Sequence, residues 1–554
     1  MLLLAAKHIE KTYQYRLIIK AEKLQVYQGE RIGIVGPNGV GKSTLMKILA
    51  QEVHPDVGEV QVHAPIAYIP QMELPQTIEI HQKRQREWHL PRTEGLEQTD
   101  NLKPQSLSGG EQTRIKIASA LSSDAKVLFA DEPTSHLDIQ GIEKLQTELS
   151  HFKGAVILIS HDRELLDQVC TRIWEMEEGH IQMFKGNYTR YLEQKERMKK
   201  RQWEEYEQYQ KEKQRLLEAK RHMAQKSKAV KKAPSRMGPS EARLHKRKAG
   251  KTSEKLYKKA KAIETRIDQL EPKEKPVEEK AIVFDTQDFK GIHRSSVLSF
   301  TDVDAVVQGQ KLFSELNGTI SPRSRVAILG ANGVGKTTLL NMILAGHDGL
   351  TRVKTARMGY FDQKLEHLRH DHTILDNVSV QSPYSEHFIR TVLARLQFRR
   401  EDVHKRIRVL SGGEKVKVAL AKVFLGNFNV LLLDEPTNFL DLPAKEALEE
   451  VLCAYPGTIL FVSHDRAFIK KVATHIIEIK DHKAQLKHVD HLTNQGEKES
   501  KKKQTDIETT LLALDMEIAD IIGKLSTVND EEEKARLEQT YETLLRKKRE
   551  ITSD

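Results

Sequence analysis

The sequence predicts an α/β protein carrying two phosphate-binding units in tandem, with a long helical segment between them. Three observations support this. The motif Leu107-Ser108-Gly109-Gly110-Glu111 returns as Leu410-Ser411-Gly412-Gly413-Glu414, and the spacing downstream of each copy repeats to the residue. Ser108 precedes Glu132 by 24 positions and Ser411 precedes Glu435 by 24; Glu132 and Glu435 in turn precede His161 and His464 by 29. Upstream of each motif, an apolar run feeds a glycine-rich loop of phosphate-binding pattern. Finally, residues 188 to 226 hold neither Gly nor Pro and are rich in strong helix formers.

In the first unit, Arg31-Ile32-Gly33-Ile34-Val35 reads as a strand entering Gly36-Pro37-Asn38-Gly39-Val40-Gly41-Lys42-Ser43-Thr44. Gly36, Gly39 and Gly41 let backbone N–H groups turn inward, with Asn38 in the loop. Lys42 can reach β/γ-phosphates, Ser43 can hold Mg²⁺, and the following helix N-terminus favours an anion. Val127-Leu128-Phe129-Ala130 is a buried-strand pattern delivering Asp131 and Glu132 at its carboxyl end, where open parallel sheets place ligands. Asp131 is expected in the Mg²⁺ shell and Glu132 as the group polarising the attacking water. Val156-Ile157-Leu158-Ile159-Ser160 ends at His161, a candidate hydrogen-bond partner of a γ-phosphate.

The second unit repeats each position. Val326-Ala327-Ile328-Leu329 leads into Gly330-Ala331-Asn332-Gly333-Val334-Gly335-Lys336-Thr337-Thr338, and Val430-Leu431-Leu432-Leu433 delivers Asp434-Glu435. Thr337 and Asp434 take the metal role, Glu435 and His464 the catalytic one.

Composition limits the alternatives. With 554 residues the chain has room for several cores, and its 30% charged and 38% hydrophobic residues contain no apolar run near the roughly 20 residues that span a bilayer. Met1-Leu2-Leu3-Leu4-Ala5-Ala6 is expected to open a strand rather than a signal peptide. Cys170 and Cys453 are too few for a disulfide framework and are expected to be buried apolar fillers, which suits a reducing cytoplasm. The net charge of +10 is uneven: residues 199 to 270 carry 23 Lys/Arg against 9 Asp/Glu, leaving the remainder net acidic.

Between the units, a helix is expected from Tyr188 to about Lys226 and a second from about Ser240, as N-cap, to Leu270. Lys231-Lys232-Ala233-Pro234-Ser235-Arg236-Met237-Gly238-Pro239 breaks them into a hairpin with a basic tip. A charge run is compatible with a solvated face. The tip is denser, with ten Lys/Arg and a single acidic residue, Glu241, between 226 and 251, which favours a nucleic-acid partner. Few aromatics interleave, so backbone and shape contacts to folded RNA fit better than base stacking. Beyond about 488, apolar residues at Ile507, Leu511, Leu514, Ile518, Ile521 and Leu525 alternate steps of four and three. A second helix with Leu537, Tyr541 and Leu544 comes next, so a helical hairpin is expected there, either a packing element or a contact surface for a partner.

These motifs together resemble the ATP-binding cassette superfamily. The resemblance makes Gln71 and Gln363 the Q-loop residues that sense γ-phosphate and Mg²⁺. It makes Ser108, Gly109, Gly110 and Ser411, Gly412, Gly413 the signature residues, and residues 135–138 and 438–441 the D-loops. An adenine-stacking aromatic is expected near the N-terminus: Tyr13 fits, Tyr15 is an alternative, and Val307 stands opposite Tyr13 in the repeat. The resemblance implies that each ATP is held between the phosphate loop of one unit and the signature of the other. The first Q-loop-to-signature segment is shorter, 37 against 48 residues, so no extra arm is expected there.

Two cassettes without a membrane domain, joined by a basic hairpin, resemble the ABC-F family. The linker segment around Ala233-Pro234-Ser235-Arg236-Met237-Gly238 is similar to its antibiotic-resistance, ribosome-protection branch (Vga, Lsa and VmlR types). The implied architecture is cassette 1 at 1–185, hairpin linker at 186–291, cassette 2 at 292–487 and a C-terminal helical extension at 488–554. The implied activity is that of a cytoplasmic, monomeric ATPase using ATP and Mg²⁺. It would bind the E site of the bacterial 70S ribosome, with its linker tip (Lys231, Lys232, Pro234, Ser235, Arg236, Met237) facing 23S rRNA and P-site tRNA. There it would dislodge lincosamides, streptogramin A compounds and pleuromutilins; a housekeeping factor acting on stalled or idle ribosomes is the alternative. A DNA-repair cassette would need zinc cysteines or a much longer coiled coil, and a transporter subunit a membrane partner.

Overall fold

In the computed structural model, residues 1–489 are described except 14, 72–87, 89–108, 231–238, 277–281, 283, 285–288, 290, 293, 363–364, 366, 399–400. Beyond 489, residues 518, 521, 540, 541 and 544 are described, and along 227–230 and 239–253 the backbone alone. The chain divides into two units, Met1–Val283 with Leu440–Glu446, and Phe284–Phe439 with Ala447–Asp554.

The first unit contains strands β1 (Leu2–Tyr13), β2 (Arg16–Tyr27), β3 (Arg31–Val35), β4 (Val57–Val62), β5 (Ile66–Ile69), β6 (Val127–Asp131), β7 (Ala155–Ile159), β8 (Arg172–Glu177) and β9 (His180–Lys185). They form one sheet in the order β4-β1-β2-β9-β8-β3-β7-β6-β5. β3, β7, β6 and β5 are mutually parallel, and β3, β6 and β7 are buried along their whole length. This explains their uninterrupted apolar sequences, since both faces are covered. Helix α1 (Lys42–Leu49) packs on one face with the antiparallel β1–β2 pair; α2 (Gly109–Ser122), α3 (Ile139–His151) and α4 (Arg163–Val169) pack on the other. Because β3, β6 and β7 run in the same direction, Gly36, Glu132 and His161 emerge at one edge.

Arg31, at the start of β3, is a buried cation that the apolar pattern did not single out. Its guanidinium donates to the carbonyls of Leu149 (3.0 Å), Gly154 (2.7 Å) and Phe152, tying the turn after α3 to the central strand. Five N–H donors in a planar fork can satisfy several carbonyls that a helix end and a tight turn leave unpaired.

The long helix α5 (Tyr188–Val230) is fastened at its base. Thr189 N–H donates to Asp167 Oδ1 (2.7 Å), Tyr191 O–H to Glu175 Oε1 (2.6 Å), and Lys195 Nζ to the other Glu175 oxygen (2.8 Å). Tyr188 and Tyr191 are buried, with Phe184 against Tyr191 edge-on at 5.0 Å. Burial pushes the phenols of both tyrosines upward, so both stay neutral and Tyr191 keeps the proton it donates. Helix α6 (Pro239–Asp268) returns antiparallel along α5, as the ion pairs Lys220–Glu264 (2.5 Å) and Lys273–Glu205 (4.0 Å) show. The return helix begins at Pro239, so Ser240 lies inside the first turn instead of capping it; the fixed φ of proline suits the first helical position. The tip residues Lys231, Lys232, Pro234, Ser235, Arg236 and Met237 lie outside the described residues.

The second unit repeats the sheet with β10 (Leu298–Val307), β11 (Gln310–Ile320), β12 (Arg325–Leu329), β13 (Leu350–Arg352), β14 (Met358–Phe361), β15 (Val430–Asp434), β16 (Thr458–Val462), β17 (His475–Lys480) and β18 (Lys483–His488). The order β13-β10-β11-β18-β17-β12-β16-β15-β14 matches the first sheet strand for strand. Among the described residues its helices are α7 (Lys336–Ala345), α8 (Ile374–Ser379), α9 (Glu386–Arg395), α10 (Gly412–Phe424), α11 (Leu442–Ala454), whose residues up to Glu446 belong to the first unit, and α12 (Arg466–Val472). Phe284 and Phe289, expected in the linker, belong to this unit: Phe284 packs on Tyr384, Phe388 and Tyr455 at 5.2–5.8 Å, and Phe289 on Tyr455. Cys453 corrects another expectation. It is exposed on the outer side of α11, whereas Cys170 is buried against the core. In the C-terminal extension, Ile518 and Leu544 are buried with Ile521 and Tyr541 packed against them; Ile507, Leu511, Leu514, Leu525 and Leu537 lie outside the described residues.

Arg31→Met would strand buried carbonyls. We expect it to destabilise the first unit by about 2–3 kcal/mol, read as an earlier first transition in guanidinium unfolding.

Candidate nucleotide site

In the first unit, α1 begins at Lys42 directly after Gly41, whose φ of 108° is a left-handed value that a side chain disfavours. A Cβ there would also sit 2.4 Å from Ile18 Cγ2. Lys42 Nζ donates to the carbonyls of Gly36 (2.8 Å) and Pro37 (3.0 Å), which holds the ammonium across the loop at the helix N-terminus. Beyond Gly39 the space is open. In the second unit, Lys336 Nζ makes the same pair of bonds, to Gly330 and Ala331, both at 2.9 Å. The two loops are thus built alike, each a ring of backbone around a fixed cation.

Asp131 closes β6 and Asp434 closes β15. Burial pushes both carboxyls upward in pKa, opposed by hydrogen bonds from Ser43 and Thr337 and by the charges of Lys42 and Lys336. Asp131 Oδ1 is buried without a hydrogen-bond partner. An unfilled carboxylate oxygen beside a serine hydroxyl is the hard-oxygen donor set that Mg²⁺ takes, so these residues fit the ion.

Glu132 and Glu435 come next, with φ of 50° and 48°. Left-handed backbone at a glutamate is uncommon and costs of order 1–3 kcal/mol. Glu132 N–H donates to Ile159 O (2.9 Å) and Glu435 N–H to Val462 O (3.0 Å), which locks the turn to the neighbouring strand in both units. Each carboxylate then meets its histidine: Glu132 Oε1 lies 3.3 Å from His161 Nε2 and Glu435 Oε1 lies 3.4 Å from His464 Nε2. His161 Nε2 is also 3.2 Å from Asn38 Oδ1, which ties the strand-end histidine to the phosphate loop. Burial pushes the Glu132 carboxyl up to about 8; Lys42 and Lys445 hold it back and Asp131 adds to the rise. A glutamate of raised pKa is a stronger base once ionised, and the two ammonium groups favour that ionised form.

Segment Leu440–Glu446 belongs to the first unit. Asp441 Oδ1 accepts from Ala444 N–H (3.1 Å), capping its own helix, while Oδ2 accepts from Asn38 N–H (2.9 Å). The signature motifs open helices. Ser411 caps α10: Glu414 N–H donates to its hydroxyl oxygen (3.4 Å), and Glu414 Oε2 accepts from Ser411 N–H (2.8 Å). This reciprocal capping box explains the glutamate that closes the second five-residue motif. Gly109 and Gly110 start α2, where Thr113 Oγ1 bridges the carbonyls of Gly109 and Ser135, both at 3.0 Å. Lys116, a buried residue without a sequence signal, donates to the carbonyls of Pro70 (3.3 Å) and Gln71 (3.0 Å) and so fixes the backbone of the first Q-loop.

Gln71 lies exposed just past β5, Tyr13 is 48% exposed with Lys11 over its ring at 5.5 Å, and Tyr15 is fully exposed. Ser108 and Gln363 lie outside the described residues, as does most of the segment in which no extra arm was expected. In each unit the structure therefore brings together the phosphate loop, the metal-type aspartate, the glutamate and the histidine. That arrangement can bind a nucleoside triphosphate, orient water against the terminal phosphate and hold the proton that the water gives up.

Comparison with known proteins agrees. A family described as ABC transporter matches residues 19–135 and 313–438, and a second family of the same description matches 174–246. The erythromycin resistance ATP-binding protein MsrA of Staphylococcus epidermidis is 37% identical over 482 residues, covering 82% of this chain and 93% of that protein. The ribosome protection protein VmlR of Bacillus subtilis is 32% identical over 545 residues, covering 96% and 95%. Among solved structures, RNase-L Inhibitor aligns with a TM-score of 0.56 and 20% identity over 88% of this chain and 92% of that one, a likeness of fold.

We expect Glu132→Gln combined with Glu435→Gln to lower nucleoside triphosphate hydrolysis by about 10²–10⁴-fold while nucleotide binding persists, measured as steady-state phosphate release beside retention of labelled nucleotide. Parent turnover in the double variant would remove both carboxylates from the reaction.

Proposed function

Because the chain belongs to the ABC-F family of ATP-binding cassette ATPases, we propose that its ATP hydrolysis drives a cycle of binding to and release from the bacterial ribosome. The observation that carries this reading is end-to-end likeness, linker and C-terminal extension included, to a protein named for ribosome protection. The basic linker supports it physically: closely spaced cations near the tip repel one another unless phosphates neutralise them.

In this reading, Ser43 with Asp131 and Thr337 with Asp434, assisted by Gln71 and Gln363, hold Mg²⁺, which supplies charge neutralisation of the phosphates. Each ATP is bound by the phosphate loop of one cassette and the signature of the other. The first site is Lys42, Ser43, Gln71, Glu132 and His161 facing Ser411, Gly412 and Gly413. The mirror site is Lys336, Thr337, Gln363, Glu435 and His464 facing Ser108, Gly109 and Gly110. Tyr13 stacks on one adenine. Signature N–H and hydroxyl groups engage the γ-phosphate, so ATP closes the clamp within a monomer and hydrolysis opens it.

Closed on a cytoplasmic 70S ribosome, the protein occupies the E site and extends Lys231, Lys232, Pro234, Ser235, Arg236 and Met237 toward P-site tRNA and 23S rRNA. Lincosamides, streptogramin A compounds and pleuromutilins are dislodged from the peptidyl-transferase region. The relative named for erythromycin resistance adds that drug to the panel worth testing.

The Glu132→Gln, Glu435→Gln variant with ATP should co-sediment with 70S particles and be released steeply as salt rises from 50 to 200 mM, by about 10³-fold or more in affinity if six or more phosphates are contacted. Failure to bind at low salt would overturn the reading. Expression in a susceptible cell should raise the inhibitory concentrations of lincomycin and tiamulin; binding without any such rise would assign the chain to the housekeeping role.

A further inference from the structure

Lys445 is a buried ammonium to which the catalytic arrangement gives no role. It is only 7% exposed, one turn into α11, and its Nζ donates to the backbone carbonyl of His161 at 2.8 Å. The same short segment also reaches the phosphate loop, through Asp441 Oδ2 and Asn38 N–H at 2.9 Å. Residues 441 and 445 thus grip two neighbouring pieces of the first site, four residues apart on one helical face.

Lys445 holds the pivot of that site. The His161 N–H donates to Glu132 Oε2 (3.3 Å), its imidazole contacts Glu132 Oε1 (3.3 Å) and Asn38 (3.2 Å), and its carbonyl is the acceptor for Lys445. With its carbonyl fixed, the main chain at 161 has little freedom to rotate, and the ring and the Glu132 carboxylate keep their mutual geometry. The ammonium also acts electrostatically on Glu132, favouring the carboxylate. Burying a lysine is costly unless strong acceptors compensate, so a packing role alone is an inefficient use of this position.

The internal repeat supplies a natural contrast. Lys445 comes four residues after Asp441; the matching residue, four after Asp138, is Ile142, a buried apolar side chain. An isoleucine cannot donate to a carbonyl.

We propose that Lys445 is a positioning residue of the first nucleotide site, fixing the His161 backbone so that His161 and Glu132 are prealigned for hydrolysis, and that the second site lacks this device. The proposal rests on the family's ATPase activity, and parent turnover in the same assay separates an inactive preparation from loss of the contact.

The test is hydrolysis by the full chain, in steady state and in a single turnover with ATP bound at both sites. Because the clamp reopens only after both ATPs are spent, Lys445→Met, matched in length but uncharged, should lower kcat about tenfold, equivalent to about 1.4 kcal/mol, with KM changed less than twofold. In the single turnover it should slow about half of the bound ATP. Lys445→Arg should restore at least half of the parent kcat, because a guanidinium can reach the same carbonyl. Should Lys445→Met fold poorly, Lys445→Gln retains a donor and is expected between the two. Parent kcat in Lys445→Met or Lys445→Gln, equal slowing of all bound ATP, or an arginine variant no better than methionine would each overturn the assignment.

Discussion

Glu132 and Glu435 sit in a backbone conformation that glutamate seldom adopts, and both are held there by an N–H bond to the adjacent parallel strand. The strain can persist only because the surrounding sheet over-determines it. β6 is clamped between β5 and β7, and β15 between β14 and β16, so the peptide after each strand has no room to relax. After the left-handed turn the carboxylate meets the histidine. Two consecutive acidic residues thereby acquire different work, the aspartate against the serine or threonine hydroxyl and the glutamate against imidazole.

Around that constraint the first unit adds buried cations that solvate backbone. Arg31, Lys116 and Lys445 each donate to carbonyls at a turn or strand end: the turn after α3, the first Q-loop and the His161 loop. None of these groups needs to touch a nucleotide to matter. They replace water as partner for carbonyls whose strands have ended, and they reduce the number of positions the loops can take, which lowers the reorganisation required when charge develops.

Much of the architecture is legible in the sequence because spacing is a strong signal when it repeats. Intervals of 24 and 29 residues locate the glutamates and histidines, and the structure brings each such pair within contact. Apolar runs foretell β3, β6 and β7 for the same physical reason that they are buried on both faces. Other features are not legible. A positive φ leaves no trace when the residue is glutamate rather than glycine. The roles of Arg31, Lys116 and Lys445 depend on carbonyls far away in sequence, and a cation in a mixed segment looks like any solvated one. Cys453 departs from its expected burial because a small hydrophobe at a helix end tolerates either side. The aromatic cluster around Phe284 escapes a sequence reading because its members lie in three separate segments.

The base of α5 has a mechanical consequence. Its first two turns are joined to β8 through Glu175, which receives both Tyr191 and Lys195, and to α4 through Asp167. A rod of 43 residues rising 1.5 Å each is about 65 Å long, so a tilt of about 5° at the fastened end sweeps the other end through roughly 5–6 Å. Leverage of that kind turns a small change of angle at β8 and α4 into a displacement of several ångströms at the far end of the rod.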